Sequence, residues 1–385
     1  MASAPDISDR LGRMGLSEEQ ADLMRVAAEF CREQSPPERV RTLIDDERGY
    51  DPAVWRQIGE LGWCGIATPE EHGGAGLNLA EIVPVAEHMG RTMMATPFLV
   101  STLAAEAILA GGTDAQKSHW LPRLAAGEIV GTLALGEAGD QMTALGTAED
   151  GGAMVSGRAT LIEHAAAADI IVLAFTQSGT ARLAILETER LPEGALRRER
   201  IIDDTRRAYE LTLRTFELPA ANLMPAETVT AARERVELAG ALLHAADMVG
   251  GAFRVIDYTA DYLRTRTQFG KQIGSYQALK HPLVDAFVGY EKARSHLYAA
   301  AHSYGSASGR PGARNDMSGE IAVRMAKAQA ERAYAFAADR AIQFHGGFGF
   351  TYDCDAGLHR RRALWNASRH GDARAQKKKL AKLLF

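Results

Sequence analysis

The chain has few of the features that mark disulfide-stapled and nucleic-acid-binding proteins. Three cysteines occur in 385 residues, at Cys31, Cys64 and Cys354. They are widely spaced, with no CxxC pair and no histidine at ligand spacing, so they indicate neither a disulfide framework nor a metal site. The formal charge of -5 comes from interspersed acidic and basic residues. We therefore predict no broad basic face and no nucleic-acid partner.

Long apolar runs are also scarce. The first residues carry Asp6 and Asp9 where a signal peptide would have an apolar core, and the apolar stretch 98–109 is interrupted by Glu106. The pattern predicts no membrane association and a cytoplasmic location. With 46% hydrophobic residues, the chain is long enough for two or three compact units.

The first third of the chain has helical periodicity. Apolar residues recur at helical spacing from Leu23 to Phe30, and Ser17 with Gln20 resembles a capping-box start. The glycine-rich run 62–76, with Pro69 at its centre, predicts an interrupting loop. We expect an N-terminal helical domain over residues 1–125.

The pattern then changes to short segments rich in β-branched or aromatic residues, separated by turn sequences. The segments are residues 154–155, 170–175, 183–186 and 211–216. They predict a middle, antiparallel β domain over residues 126–225.

Helical periodicity returns after Pro225. One helix is expected over residues 228–266, a second opening at Pro282, and a third over residues 316–344, with a polar loop at 305–315. The C-terminal domain, residues 226–385, is therefore predicted to be a four-helix-type bundle. The fold class is α+β.

Two runs at the ends of the long helices have the composition of ligand-binding loops. In the first, Arg266 can clamp a pyrophosphate, Gln268 offers amide donors, Phe269 can pack on a purine, and Gly270 permits a turn. An ordinary interhelical loop is the alternative.

The second run, residues 343–350, reads QFHGGFGF. Its glycines, Gly346 and Gly347, allow backbone amides to approach an anion, and Gln343 adds an amide. A glycine helix stop with an aromatic plug is the alternative, and the context is not that of a dinucleotide-binding strand, turn and helix.

Together these runs, in this order and architecture, resemble the acyl-CoA dehydrogenase family. Residues 69–76 resemble its PEExGGxG signature, residues 277–281 its QxxKH helix start, and residues 346–363 its GGxGFTxExDxxLxxRRA stretch. The resemblance covers nearly the whole chain.

The resemblance implies a tetramer with FAD between subunits and an electron-transfer flavoprotein or similar acceptor as redox partner. Family members remove two hydrogens from an acyl-CoA: a carboxylate takes the α proton, and the β hydrogen leaves as hydride to the flavin. The residues expected to meet the FAD pyrophosphate and adenosine are Arg266, Gln268 and Phe269 from one subunit, and Gln343, Gly346 and Gly347 from its neighbour.

The flavin side departs from the family pattern. Where the family reads TEPxxGSD, residues 133–140 read LALGEAGD. Main-chain contacts to the flavin can survive this change, and Leu133 and Leu135 are the residues assigned to them. Leu161 and Glu163 stand where Trp and Thr commonly back the flavin ring, and a buried carboxylate there is costly unless it is paired.

The catalytic base also departs from the pattern. The base of most members is a Glu before a Gly, and the matching residue here is His370, before Gly371. The branched-chain type carries its Glu at the position of Gly240. Asp247, two helical turns beyond, Glu237, one turn before, and His370 are the candidates for a substitute base. An axial displacement of about 5–10 Å places Glu237 and Asp247 too far for an unshifted substrate. A surface histidine is the alternative reading of His370.

Three functional readings follow from the resemblance. The leading one is a subunit of a heteromeric dehydrogenase, like those acting on steroid side-chain or other bulky acyl-CoAs, whose partner supplies the Glu. A noncatalytic structural or regulatory subunit is the second, and a related flavin-dependent oxygenase is the third. Small residues such as Gly250 and Gly251 either leave room for a bulky acyl group or serve close helix packing.

Overall fold

Helices and strands follow one another in three blocks along the chain. The computed structural model describes residues 18–137, 139–305 and 317–385. The first block comprises α1 (Glu18–Gln34), α2 (Pro37–Asp45), α3 (Pro52–Glu60), α4 (Leu79–Arg91), α5 (Phe98–Gly111) and α6 (Asp114–Ala125). The helical prediction for this block is confirmed, whereas Ser17 of the predicted capping box lies outside the described residues.

The predicted loop at residues 62–76 is confirmed. It contains two short 3₁₀ turns, Trp63–Gly65 and Glu70–His72. A Cβ added at Gly74 would lie 2.1 Å from the Thr68 carbonyl oxygen. The loop therefore requires glycine at this position.

The second block is a single seven-stranded sheet. Its strands are β1 (Gly131–Ala134), β2 (Gln141–Thr147), β3 (Ala153–Glu163), β4 (Ile170–Gln177), β5 (Thr180–Glu187), β6 (Leu196–Glu199) and β7 (Ala208–Leu218). They are arranged in the order β1-β4-β2-β3-β7-β6, with β5 on β4. Buried aliphatic side chains such as Val155, Ile162, Leu173 and Leu211 form its core.

The prediction of an antiparallel domain is wrong for two strand pairs. β1 runs parallel to β4, with Gly131 opposite Ile170, and β2 meets β4 in parallel at Thr143 and Thr176. Parallel strands need a long crossover connection, and β2 and β3 lie within the connection between β1 and β4. The sheet is therefore mixed.

The third block is helical. It comprises α7 (Val229–Thr265), a hairpin of β8 (Thr267–Gln268) and β9 (Lys271–Gln272), α8 (Gln277–Ala300), α9 (Met317–His345), α10 (Asp355–Ser368) and α11 (Ala373–Leu384). The predicted helices at 228–266 and 316–344 are confirmed. The predicted loop at 305–315 lies, apart from Gly305, outside the described residues.

The predicted start of α8 at Pro282 is wrong. The helix begins five residues earlier, at Gln277, and Pro282 lies inside it. The first N–H groups of a helix have no helical acceptor, and Pro282 follows soon after them. The helix therefore loses one backbone hydrogen bond to the proline and continues.

The chain forms two compact units, each built from separated segments. Of the described residues, one unit contains those up to Arg41, Asn78–Met94 and those from Ala241 to Phe385, and the other contains Thr42–Leu77 and those from Ala95 to Gly240. The boundaries predicted for three domains remain predictions. Among the described residues, one stretch, Ala226–Thr265, is long and apolar enough to cross a membrane, and 89% of its most apolar window is buried inside the fold, as in a core helix.

In the first unit, α4 and α7 cross with their backbones almost in contact. A Cβ added at Gly250 would lie 1.9 Å from the Glu87 carbonyl oxygen, and one at Gly90 would lie 2.1 Å from the Asp247 carbonyl oxygen. A Cβ at Gly251 would strike the Tyr334 ring at 2.4 Å. Gly250 and Gly251 therefore serve close helix packing.

Candidate functional site

The hairpin after α7 presents three of the predicted ligand-binding residues. Phe269 and Gly270 form its two-residue turn, and both have positive φ, 54° and 78°. This is the geometry of the tight turn that matches the twist of an antiparallel pair. Phe269 is 90% exposed, and Arg266 and Gln268 are also exposed. The hairpin therefore holds a cation, an amide and an aromatic ring in solvent.

The end of α9 carries the other three predicted ligand-binding residues. Gln343, Gly346 and Gly347 are all exposed. Gly346 has a φ of 60° and ends the helix. A Cβ added at either glycine would meet no atom within 4 Å. The backbone here is therefore open to close approach by a ligand.

His345 joins these two regions. Its ring is stacked on Tyr262 at 4.2 Å and on Tyr258 at 4.8 Å between ring centroids, and its Nδ1 lies 2.8 Å from the Ala341 carbonyl oxygen. Burial lowers the pKa of His345, which favours the uncharged ring. The stack brings the end of α9 against the last turns of α7, from which the hairpin leaves.

These exposed groups fit the diphosphate and adenosine parts of FAD. A guanidinium and amides are suited to a diphosphate, an exposed ring to a purine, and open glycines to a close main-chain approach. The six assignments remain predictions.

The turn that carries Leu135 belongs to the second unit and is closed by a residue that the sequence prediction missed. Asp140 Oδ2 accepts hydrogen bonds from the N–H groups of Glu137 at 2.8 Å and Thr160 at 3.1 Å, and Oδ1 accepts one from the Thr160 hydroxyl at 2.7 Å. Asp140 is the last residue of the eight-residue run at 133–140, and it retains the Asp of the resembling motif. The match between Asp140 and the Asp of that motif is the sequence signal that could have identified this residue.

β3 bulges at the position expected to back a flavin ring. The register shifts between Ala159 and Ile162, and Leu161 has a positive φ of 54°. The Leu161 N–H donates to Glu199 Oε2 at 2.7 Å. Bulges and left-handed residues of this kind are concentrated near functional sites. Two residues further along β3, Glu163 is buried, with 4% of its surface exposed.

A cavity of about 380 Å³ lies in the second unit next to the Asp140 turn. Leu135 and Gly136 line it from the turn, and Phe175 lines it from β4. Arg233, near the start of α7, adds a positive charge. Leu133 lies on β1 and is half-buried. The assignment of Leu133 and Leu135 to a flavin remains a prediction.

Asp247 is an internal ion-pair residue. It is 1% exposed, its Oδ1 accepts a hydrogen bond from Asn366 Nδ2 at 2.6 Å, and its Oδ2 lies 3.5 Å from Arg362 Nη1. Arg362 is itself fully buried and also donates to the Met93 carbonyl oxygen at 3.4 Å. These contacts leave Asp247 poorly suited to the role of a base.

His370 is not an isolated surface histidine. It lies on the turn between α10 and α11, half-buried, and its ring centroid is 5.0 Å from that of His244. Burial lowers the pKa of His370 well below its ordinary value, and His244, Arg369 and Lys327 oppose a second positive charge. The imidazole is therefore neutral at physiological pH and a weak acceptor for a proton.

Comparison with known proteins gives a consistent result over most of the chain. The family model described as "Acyl-CoA dehydrogenase, N-terminal domain" matches residues 17–128, and "Acyl-CoA dehydrogenase, C-terminal domain" matches residues 231–384. Acyl-CoA dehydrogenase IpdE2 of Mycobacterium tuberculosis is 31% identical over 358 residues, which are 92% of each chain.

Two solved structures are similar to this chain over almost its whole length. A chain of the ChsE4-ChsE5 complex from Mycobacterium tuberculosis has a TM-score of 0.84 and 25% identity, covering 96% of this chain and 98% of that one. A chain of a variant of the Tcur3481-Tcur3483 steroid ACAD has a TM-score of 0.80 and 25% identity, covering 95% and 98%.

Proposed function

Because this chain belongs to the acyl-CoA dehydrogenase family of FAD-dependent oxidoreductases, we propose that it is one subunit of a heteromeric dehydrogenase. The assembly introduces an α,β double bond into an acyl-CoA. A carboxylate of the partner subunit takes the α proton. FAD, when bound, supplies the acceptor for the hydride that leaves the β carbon, so that both electrons and both hydrogens are accounted for.

One observation carries the proposal: this chain has no carboxylate at either position where the family places its base. His370 occupies one position and Gly240 the other. Asp247 lies seven residues beyond Gly240 on α7, about 10 Å along the axis, and it is engaged by Arg362 and Asn366. We therefore infer that the carboxylate comes from the partner subunit.

The chain itself supplies part of the cofactor surface. Arg266, Gln268 and Phe269 are proposed to hold the diphosphate and adenosine of one FAD from the hairpin. Gln343, Gly346 and Gly347 are proposed to meet the FAD of a neighbouring subunit, and Leu133 and Leu135 to contact a flavin through their backbone. An apolar ring as exposed as that of Phe269 is consistent with a surface that a cofactor or neighbouring subunit covers.

The relatives support the assembly and the substrate class. Two structures at 25% identity are named for pairs of components, and one of these is called a steroid ACAD. We propose a heterotetramer with a second dehydrogenase subunit, a steroid-derived or similarly bulky acyl-CoA as substrate, an electron-transfer flavoprotein or similar acceptor, and a cytoplasmic location.

The visible absorbance spectrum tests the proposal. The chain is purified alone and after co-expression with a neighbouring dehydrogenase gene, then titrated anaerobically with straight, branched and polycyclic acyl-CoAs. We expect a flavin spectrum and its bleaching in the co-expressed complex. Bleaching of the chain alone would establish a self-sufficient enzyme, and a complex that contains FAD but is not bleached would favour the noncatalytic or oxygenase reading.

A matched pair of arginine variants tests the cofactor surface within the same complex. Arg266→Ala removes the proposed diphosphate contact, and we expect a lower FAD content per complex. Arg214→Ala removes an equally charged, exposed arginine from β7 and is expected to leave the FAD content unchanged. Equal FAD content in both variants would contradict the assignment of Arg266.

A further inference from the structure

The turn between α10 and α11 is clamped at both ends by one face of α9. Lys327 Nζ, on a fully buried side chain, donates to the carbonyl oxygens of Asn366 at 3.0 Å and Ala367 at 3.2 Å. Glu331 Oε2 accepts a hydrogen bond from the Ala373 N–H at 2.7 Å. The turn is therefore fixed where it begins and where it ends.

Gln376 fixes the middle of the same turn. Its side chain is 1% exposed, and Nε2 donates to the carbonyl oxygens of His370 at 2.7 Å and Gly371 at 3.3 Å. Arg324 Nη1 donates to Gln376 Oε1 at 2.9 Å, and Arg324 Nε donates to Glu320 Oε1 at 2.7 Å. A relay of polar contacts thus runs from α9 to the backbone of His370.

The clamped turn holds a conformation that is unfavourable for histidine. His370 and Gly371 both have positive φ, 53° and 85°, and the left-handed region disfavours every residue with a Cβ. Glycine at position 370 would relieve that strain. The chain instead keeps an imidazole there, packed against His244.

Ordinary helix capping explains part of this arrangement. A lysine that donates to the last carbonyls of a helix, as Lys327 does for α10, is common. Capping does not explain why Gln376 is buried to bind two carbonyls, nor why a histidine occupies a left-handed position. Strain maintained by surrounding structure is concentrated at functional sites.

We propose that His370, packed against His244, contacts the acyl-CoA, and that Gln376, braced by Arg324, is the positioning residue that holds His370 in place. This rests on the proposed function. His370 takes no proton in the reaction; its imidazole gives or accepts a hydrogen bond.

The charged groups around the pair favour this role over that of a base. His244 faces His370 from α7, Lys327 from α9, and Arg369 from the end of α10, and all three oppose protonation of His370. Glu331 and Asp372, the nearby acids, act on Lys327. A neutral contact therefore suits the surroundings better than proton transfer.

The positioning claim is tested without any reaction. Gln376→Glu keeps an acceptor for Arg324 and removes both donations to the turn. We expect carbethoxylation of His370, followed by peptide mass spectrometry, to be at least about tenfold faster than in the wild-type complex, since protection reflects the population of open states. Lys378→Ala, an exposed change on the same helix, is the control. An unchanged rate in Gln376→Glu would overturn the claim.

The contact claim is tested by kinetics with any acyl-CoA that bleaches the complex. Losing one neutral hydrogen bond in His370→Ala is expected to raise KM about fivefold to tenfold with kcat little changed. His370→Asn is expected to recover part of the loss, and adding Gln376→Glu to His370→Ala is expected to change nothing further. An unchanged KM in His370→Ala would overturn the contact, and a collapse of kcat would identify His370 as a base instead.

The two proposals fail in different ways. If no acyl-CoA bleaches the complex, the proposed function fails and the contact claim fails with it. The rate of His370 carbethoxylation still decides whether Gln376 positions the turn.

Discussion

Replacing Asp247 by asparagine separates a structural carboxylate from a catalytic one. The change keeps an oxygen acceptor for Asn366, but it removes the negative charge that faces the fully buried Arg362. Removing one member of a buried pair costs about 3–5 kcal/mol. The 3.5 Å separation of Arg362 Nη1 and Asp247 Oδ2 is long, so we expect the lower limit, about 3 kcal/mol. For a chain of 385 residues the shift is about 1 °C per kcal/mol, so Tm should fall by about 3–4 °C.

Thermal unfolding of the co-expressed complex is the assay, and two further variants make it specific. Adding Arg362→Met to Asp247→Asn removes the buried positive charge and is expected to recover part of the lost stability. Asp261→Asn is the matched control on the same helix, because its pair with Arg264 is largely exposed and should contribute less than about 1 kcal/mol. An Asp247→Asn variant that keeps the wild-type Tm and abolishes flavin bleaching would contradict this prediction, since that combination identifies Asp247 as the base.

Three other predictions concern pH, the second unit and the hairpin. Burial lowers the pKa of His88 from 6.5 to about 3, so the unfolded chain takes up a proton below pH 6.5 that the folded chain does not. The free energy of unfolding should therefore fall as pH falls, by about 2 kcal/mol between pH 6.5 and pH 5 at ~1.36 kcal/mol per pH unit. Denaturant titrations at both pH values should show a fall that is smaller by this amount in His88→Asn. An equal fall in the wild type and the variant would contradict the prediction. Arg207→Met removes donations from a buried guanidinium to five backbone carbonyls and should lower the free energy of unfolding by at least about 3 kcal/mol, whereas Arg197→Met, on an exposed side chain, should cost less than about 1 kcal/mol in the same titration. Gly270→Val and Gly179→Val place a β-branched residue at φ values of 78° and 79° in two hairpin turns. Both variants should lower Tm, but only Gly270→Val should lower the FAD content. Equal loss of FAD in both would contradict the assignment of the β8-β9 hairpin to the cofactor surface.

The helical parts of the fold could be predicted because their signals are local. Apolar periodicity defined α7 and α9 to within one or two residues, and the glycines after His345 marked the stop of α9. The parallel pairing of β1 with β4 could not be predicted, since it depends on where two distant segments meet. The start of α8 was missed because Pro282 is tolerated inside a helix at the cost of one hydrogen bond.

The candidate site divides in the same way. The hairpin and the glycine stop stand out as motifs, so their residues could be named from the sequence. The clamp on the His370 turn could not, because Lys327, Glu331 and Gln376 look like ordinary charged and polar helix residues until α9 and α11 are packed. Asp247 was a reasonable candidate base by its spacing on α7, and only its contacts with Arg362 and Asn366 show that its carboxylate is engaged.

The most direct test of the account measures where the catalytic carboxylate resides. The co-expressed complex is mixed anaerobically with a saturating acyl-CoA, and the single-turnover rate of flavin bleaching is compared between two changes: the partner's glutamate at the family base position to glutamine, and His370→Gln in this chain. We predict that the change in the partner lowers the rate by about 10²–10⁴-fold, whereas His370→Gln leaves it within about tenfold. Bleaching that survives the change in the partner and disappears with His370→Gln would contradict the account.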